Sequence, residues 1–207
     1  MPYSYDNDVT IEKSPDYFVF PLVPELIHKW NPNVKLILIL REPITRAISQ
    51  FVQLASQWEK NITLKETGKL FEKSSIKKNG AVNTRRRYIR EGVYVKILQP
   101  WLDVFPLEQL LILDGEKLIT DPYSVTLKAE KYLGLERHIK KSFFVFNKEK
   151  GFYCVNTQKI KNVCQNESKG RRHPVINETT IDKLKNFYRP YDKNLFKLIK
   201  QKPFWSH

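Results

Sequence analysis

Nothing in this sequence limits the fold as narrowly as Lys35-Leu36-Ile37-Leu38-Ile39-Leu40, which runs directly into Arg41-Glu42-Pro43. A near-continuous apolar run of strand length, without polar alternation, is the pattern of a parallel strand buried on both faces. Pro43 suits the first position of a helix, whose apolar positions Ile44, Ala47, Ile48, Phe51, Val52 and Leu54 carry it to about Trp58. Strand, tight turn and helix make half of a βαβ unit. Gln109-Leu110-Leu111-Ile112-Leu113 repeats the strand pattern and stops at Asp114-Gly115, and Pro122 to Leu133 follows as a second amphipathic helix. The alternation predicts an α/β fold with a mainly parallel sheet.

The remaining segments fit around that frame. Val9 to Glu12 reads as a short strand and Pro21 to Trp30 as a short helix with Pro24 near its first turn. The polar, Lys-rich stretch from Asn61 to Asn83 reads as a surface excursion with one short helix, anchored by Leu70-Phe71. Tyr88 to Phe105 carries Ile89, Val93, Ile97 and Trp101 at helical spacing, and Pro100 should bend it. Beyond Leu135, Phe143 to Phe146 and Gly151 to Val155 suggest a hairpin, followed by the Cys164 loop and a last helix from about Glu178 to Lys200. With 207 residues, no repeat and no low-complexity linker, a single domain over 1–207 is expected. No run of eighteen apolar residues occurs, and the N-terminus has neither a basic nor an apolar targeting region.

Lys and Arg number 36 against 22 Asp and Glu, a formal charge of +14. That balance favours a polyanionic partner: nucleic acid, anionic membrane or sulfated glycan, and charge alone does not choose among them. Cys154 and Cys164 lack the second Cys/His pair of a zinc site, so no metal is expected; they read as a local disulfide ahead of two free core thiols. Three Asn-x-Ser/Thr sequons, at Asn61, Asn166 and Asn177, fit a secretory-pathway glycoprotein.

The chemistry concentrates where the first buried strand meets its helix. In open α/β sheets, ligands bind beyond the carboxyl ends of the strands, and a helix N-terminus there offers N–H groups to an anion. Arg41 at the strand end and Ser49 two turns into the helix could grip one phosphate, the Arg fork bidentately and the hydroxyl as a short donor. The plainer alternative pairs Arg41 with a carboxylate and leaves Ser49 in water.

KLILILREPITRAISQF resembles the 3′-phosphate-binding strand and helix of the Golgi sulfotransferases that use 3′-phosphoadenosine 5′-phosphosulfate. Glu12-Lys13-Ser14-Pro15-Asp16-Tyr17-Phe18, Trp101-Leu102-x-x-Phe105-Pro106, Asp114-Gly115-Glu116-Lys117-Leu118-Ile119, Gly151-Phe152-Tyr153-Cys154 and Ser168-Lys169-Gly170-Arg171-Arg172-His173-Pro174 extend the resemblance. It is closest to the heparan sulfate glucosamine 3-O-sulfotransferases. The resemblance implies a three-layer sulfotransferase fold of the P-loop NTPase type. It also implies transfer of sulfate to the 3-hydroxyl of glucosamine in heparan sulfate or heparin, no nucleic-acid partner, and residence in the Golgi lumen. By motif position, Arg41, Ser49, Tyr153, Lys169, Gly170 and Arg171 would bind the nucleotide, while Lys13, Gln53 and Arg171 would lie near the sulfate and the sugar chain. Without the resemblance Lys13 reads as a solvated lysine and Lys169-Gly170-Arg171 as an ordinary basic turn. The family also joins its Cys pair just before this loop, which supports the Cys154–Cys164 bridge.

Sulfuryl transfer needs a base for the acceptor hydroxyl and cations for the leaving phosphate. In the family a Gly-rich phosphate loop with a Lys, and a Glu acting as base, precede the matching segment. Neither occurs in this chain, so the expectation is a C-terminal two-thirds that lacks the first strand, the phosphate loop and the signal anchor of a type II membrane protein, with no catalytic residue assigned. His28, His138, His173 and His207 have no carboxylate at recognisable spacing, and none is assigned as a base. A heparan sulfate N-sulfotransferase domain, an inactive heparin-binding module and a nucleic-acid binder are the rival readings.

Overall fold

The computed structural model describes residues 9–14, 16–58, 61–161, 163–164 and 170–207. In chain order its regular elements are α1 (Val23–Trp30), β1 (Leu36–Leu40), α2 (Pro43–Trp58), α3 (Leu64–Ser75), α4 (Arg87–Arg90), α5 (Tyr94–Leu102), β2 (Leu110–Asp114), α6 (Gly115–Thr120), α7 (Pro122–Leu133), β3 (Phe144–Asn147), β4 (Phe152–Val155) and α8 (Glu178–Leu198). β1 and β2 pair in parallel with Leu36 beside Leu110 and Leu40 beside Asp114, so both strands end at the same level. Four helices form the crossover between them, as a parallel pair requires. β3 and β4 form the antiparallel hairpin. No helix among the described residues is long and apolar enough to cross a membrane.

Two apolar clusters hold the elements together. Ile44, Ile48 and Phe51 of α2 pack with Phe71, Ile89 and Tyr188 in one. Leu40, Leu98, Trp101, Phe105 and Ile112 pack with Leu195 and Phe196 in the other. α8 belongs to both, because its apolar side chains recur at helical spacing over twenty-one residues.

Four expectations change in the structure. Residues 9–12 form no strand, and Val9 and Ile11 are 51% and 75% exposed, without a neighbouring strand among the described residues. β1 is not buried on both faces: Leu40 is 2% exposed, but Ile37 and Ile39 on the opposite face are 42% and 47% exposed. The helix expected over Tyr88 to Phe105 is two helices, and the break lies at 91–93 rather than at Pro100. Tyr188 Oη donates to the Ile89 carbonyl at 2.7 Å, and Gly92 N–H donates to that same oxygen in a tighter turn. The carbonyl that would have continued the helix is thereby satisfied. Pro100 sits inside α5, close to its end.

The Lys-rich excursion contains a full twelve-residue helix, α3. Thr63 Oγ1 accepts from Glu66 N–H and the Glu66 carboxylate accepts from Thr63 N–H, a reciprocal cap that starts the helix. Phe71 is its fully buried anchor, whereas Leu70 is 47% exposed.

Candidate functional site

A cavity of about 660 Å³ opens beyond the carboxyl ends of β1 and β2. Arg41 comes from the end of β1, Ser49 and Gln53 from α2, and Leu118 and Ile119 from α6. Phe152 and Tyr153 of β4 form the far wall with Lys150, and Gly170, Arg171 and His173 close the side. Six of the eight residues proposed by sequence for ligand contacts, Arg41, Ser49, Gln53, Tyr153, Gly170 and Arg171, therefore line one space. Lys13 is exposed and is not among the lining residues. Lys169 and Asn166 lie outside the described residues.

The start of α2 differs from the anion site expected of it. Glu42 turns back on the helix and accepts from Ile44 N–H at 2.8 Å and Thr45 N–H at 2.6 Å, and Pro43 has no N–H to offer. The orphan amides of the first turn are thus occupied by a carboxylate. An anion at this strand end meets side chains rather than a bare helix terminus: Arg41, and Ser49 two turns along the helix.

Arg41 is fixed from three directions. Its carbonyl accepts from Tyr94 Oη at 2.9 Å, and burial raises the Tyr94 phenol pKa well above its ordinary 10.0, so the group remains a donor. Its Nε donates to Glu116 Oε1 at 2.9 Å, and Nη2 lies 3.5 Å from Oε2. Its side-chain stem passes Gly115, where an added Cβ would sit 2.7 Å from Arg41 Cγ and 2.8 Å from the Leu40 carbonyl oxygen. The carboxylate alternative for Arg41 is present, but it coexists with a place on the cavity wall.

The far wall rests on the hairpin. Cys154 and Cys164 are joined by a disulfide, and Val155 and Val163 exchange both backbone hydrogen bonds beside it. Gly170 has φ 70°, and an added Cβ there would meet Phe152 Cε1 at 2.9 Å. Backbone handedness and close approach both demand glycine at that position. His173 has its pKa lowered from 6.5, first because solvent is withdrawn from the imidazole and second because of the Arg41 cation. The imidazole is therefore neutral at pH 7.

An ionic chain runs along the other flank of α2. Arg87 Nη2 donates to Asp16 Oδ1 at 2.6 Å and Arg87 Nε donates to Glu91, whose second oxygen accepts from Gln50 at 3.2 Å. This chain ties Asp16 to α4 and α2. His28 packs its ring against Phe105 at 5.4 Å, a structural role. Among the described residues no group of three His, Cys, Asp or Glu side chains could hold a metal ion. Sequence reasoning did not assign Glu116, Lys150 or His173 to the site. Glu116 and His173 stood inside motifs already singled out, whereas Lys150 belongs to a charged turn that looks like any solvated one.

The family model for the sulfotransferase domain matches residues 7–201. The chain belongs to the sulfotransferase domain family. Over 206 residues it is 40% identical to heparan sulfate glucosamine 3-O-sulfotransferase 5 of Mus musculus and, equally, of Homo sapiens, covering 99% of this chain and 59% of each relative. It is 36% identical over 202 residues to heparan sulfate glucosamine 3-O-sulfotransferase 3B1 of Homo sapiens, covering 96% of this chain and 50% of that protein. Among solved structures, the sulfotransferase of Alicyclobacillus acidocaldarius superposes with a TM-score of 0.60 at 17% identity, over 91% of this chain and 64% of that one. The last likeness concerns the fold, and it identifies the α/β arrangement as that of a sulfotransferase. The cavity at the strand ends is therefore the candidate active site of a sulfotransferase domain that spans 59% of the length of its first two relatives.

Proposed function

We propose that this sulfotransferase domain takes part in transferring sulfate from 3′-phosphoadenosine 5′-phosphosulfate to the 3-hydroxyl of glucosamine in heparan sulfate. The observation that carries the reading is the convergence of Arg41, Ser49, Tyr153, Gly170 and Arg171 on one cavity, in a chain 40% identical along nearly its whole length to heparan sulfate 3-O-sulfotransferases. In this reading Arg41 and Ser49 hold the 3′-phosphate and Arg171 stands over the nucleotide. Phe152 and Tyr153 offer aromatic surface to the base, and Gln53, exposed on α2, faces the sugar chain. A net charge of +14 suits an acceptor that is a sulfated polyanion. These residues bind and orient; the general base for the acceptor hydroxyl is not assigned to any of them.

The disulfide and the sequons support a lumenal, glycosylated protein of the Golgi. Asn61 is exposed just ahead of α3, and Asn177 is exposed with its Oδ1 capping α8 by accepting from Thr180 N–H at 2.7 Å. That cap leaves the Asn177 amide nitrogen for a glycan.

Arg41→Ala should weaken adenosine 3′,5′-bisphosphate binding by about 2 kcal/mol, the scale of a charged hydrogen bond to phosphate. Isothermal calorimetry on the wild-type and variant chains measures it. Equal affinities would remove Arg41 from the nucleotide site.

A further inference from the structure

The geometry points to Glu116 as the positioning residue that presets Arg41 for the nucleotide phosphate, an inference that rests on the nucleotide reading above. The strand register creates the opportunity. Because Leu40 lies beside Asp114, the residues that follow, Arg41 on one chain segment and Gly115-Glu116 on the other, emerge side by side at the strand ends, where Arg41 reaches the cavity wall. Each residue of Asp114-Gly115-Glu116 then has a separate task. Asp114 accepts from Glu116 N–H at 2.9 Å and Lys117 N–H at 3.1 Å, which fixes the backbone at the start of α6. Gly115 supplies the space in which the Arg41 stem lies, since an added Cβ would be 2.7 Å from Arg41 Cγ. Glu116 grips the head group.

The way it grips matters. The carboxylate takes the Nε edge, with Nε at 2.9 Å and Nη2 at 3.5 Å, and among the described residues no hydrogen bond engages Nη1. A guanidinium held along one edge keeps its far donors in a defined plane for a second anion. The pair is partly solvated, with side chains 29% and 39% exposed, so it contributes little to stability as an ion pair. Its contribution is orientation: a long, rotamer-rich side chain that is already ordered loses less freedom when the phosphate arrives. The opposing effect is competition, because a carboxylate beside the arginine partly neutralises it. The two effects predict opposite signs when Glu116 is removed.

The test uses the 207-residue chain with Glu116→Ala, Glu116→Gln and Arg41→Ala, each titrated calorimetrically with adenosine 3′,5′-bisphosphate and with adenosine 5′-monophosphate, which lacks the 3′-phosphate. Positioning predicts that Glu116→Ala weakens bisphosphate binding by about tenfold and leaves monophosphate binding unchanged. Glu116→Gln, whose amide oxygen still accepts from Nε, should remain within about twofold of wild type. Melting curves establish that all variants are folded. Unchanged or tighter bisphosphate binding in Glu116→Ala overturns the inference in favour of competition. A loss in Glu116→Gln as large as in Glu116→Ala overturns it too, since the retained hydrogen bond would then not matter. If Arg41→Ala binds both nucleotides like wild type, or if wild type binds neither, the nucleotide reading itself falls and positioning with it; a loss in Arg41→Ala without one in Glu116→Ala refutes positioning alone.

Discussion

Glu130 is a carboxylate 6% exposed on α7, and its Oε1 accepts from His138 N–H at 2.7 Å and Ile139 N–H at 2.9 Å. Those two amides hold its pKa below the ordinary 4.5. A carboxyl whose folded-state pKa is depressed contributes stability that is fully present above its unfolded value and is lost as the pH falls through the folded one. Glu130→Gln should therefore melt below wild type at neutral pH, and the gap should narrow as the pH falls below 4.5. Thermal melts of both chains across that range measure it. A gap that stays constant with pH would mean that the charge on Glu130 is not what the two amides stabilise. Arg41 illustrates a different point at this scale: a strand-end arginine and a carboxylate partner looked like alternatives to a phosphate site, and in the fold the partner occupies only one edge of the guanidinium.

Among the elements, the β3–β4 hairpin bears most directly on the site, because Phe152 and Tyr153 reach the cavity from β4 while Cys154 is tied to Cys164. Closing a loop with a sequence separation of 10 stabilises by roughly 3 kcal/mol in the chain-entropy model. A Cys154→Ser/Cys164→Ser chain should lose about that much in denaturant unfolding, and its affinity for adenosine 3′,5′-bisphosphate should fall because the aromatic wall is no longer held. Non-reducing peptide mapping of secreted wild-type protein should recover the bridged pair; two free thiols there would remove the bridge and its support for a lumenal address. α3 belongs to the same scale. Its reciprocal Thr63–Glu66 cap was legible in Thr63-x-x-Glu66, but the surrounding lysines obscured it as a helix start.

At the level of the whole molecule, α8 joins the two apolar clusters, with Leu184 and Tyr188 in one and Leu195 and Phe196 in the other. The residues after α8 fold back onto this joint. Trp205 stacks edge-on against Phe196 at 4.9 Å and donates from Nε1 to Asp192 Oδ2 at 2.9 Å. The His207 Nε2 lies 3.0 Å from Asp192 Oδ2 and 3.3 Å from Glu42 Oε1, beside the turn that caps α2. Trp205→Ala should therefore destabilise the fold by about 2 kcal/mol, less than a fully buried aromatic because the ring is half-buried. Urea unfolding measures the loss, and a change under half that size would show that the tail packs without supporting the core.

The sequence by itself determined the elements that local periodicity specifies: the two apolar strands, α2, α7, α8 and the hairpin, together with Arg41 and Ser49 at a strand-to-helix junction. Such patterns are local, since a strand run or a helical apolar stripe depends only on neighbours within a few turns. Tertiary structure decided what depends on partners far along the chain. Tyr188 ends α4 from 99 residues away, and Glu116 meets Arg41 across 75. Docking also left Ile37 and Ile39 uncovered, while Leu36 and Leu38 on the other face of the same strand pack against a core cluster. Residues 9–12 had the composition of a strand, but a strand exists only where a neighbour completes its hydrogen bonds, and here none among the described residues does. Which polar side chain meets which carbonyl, and which apolar face is covered, are properties of how elements pack, and a single run of residues does not carry them.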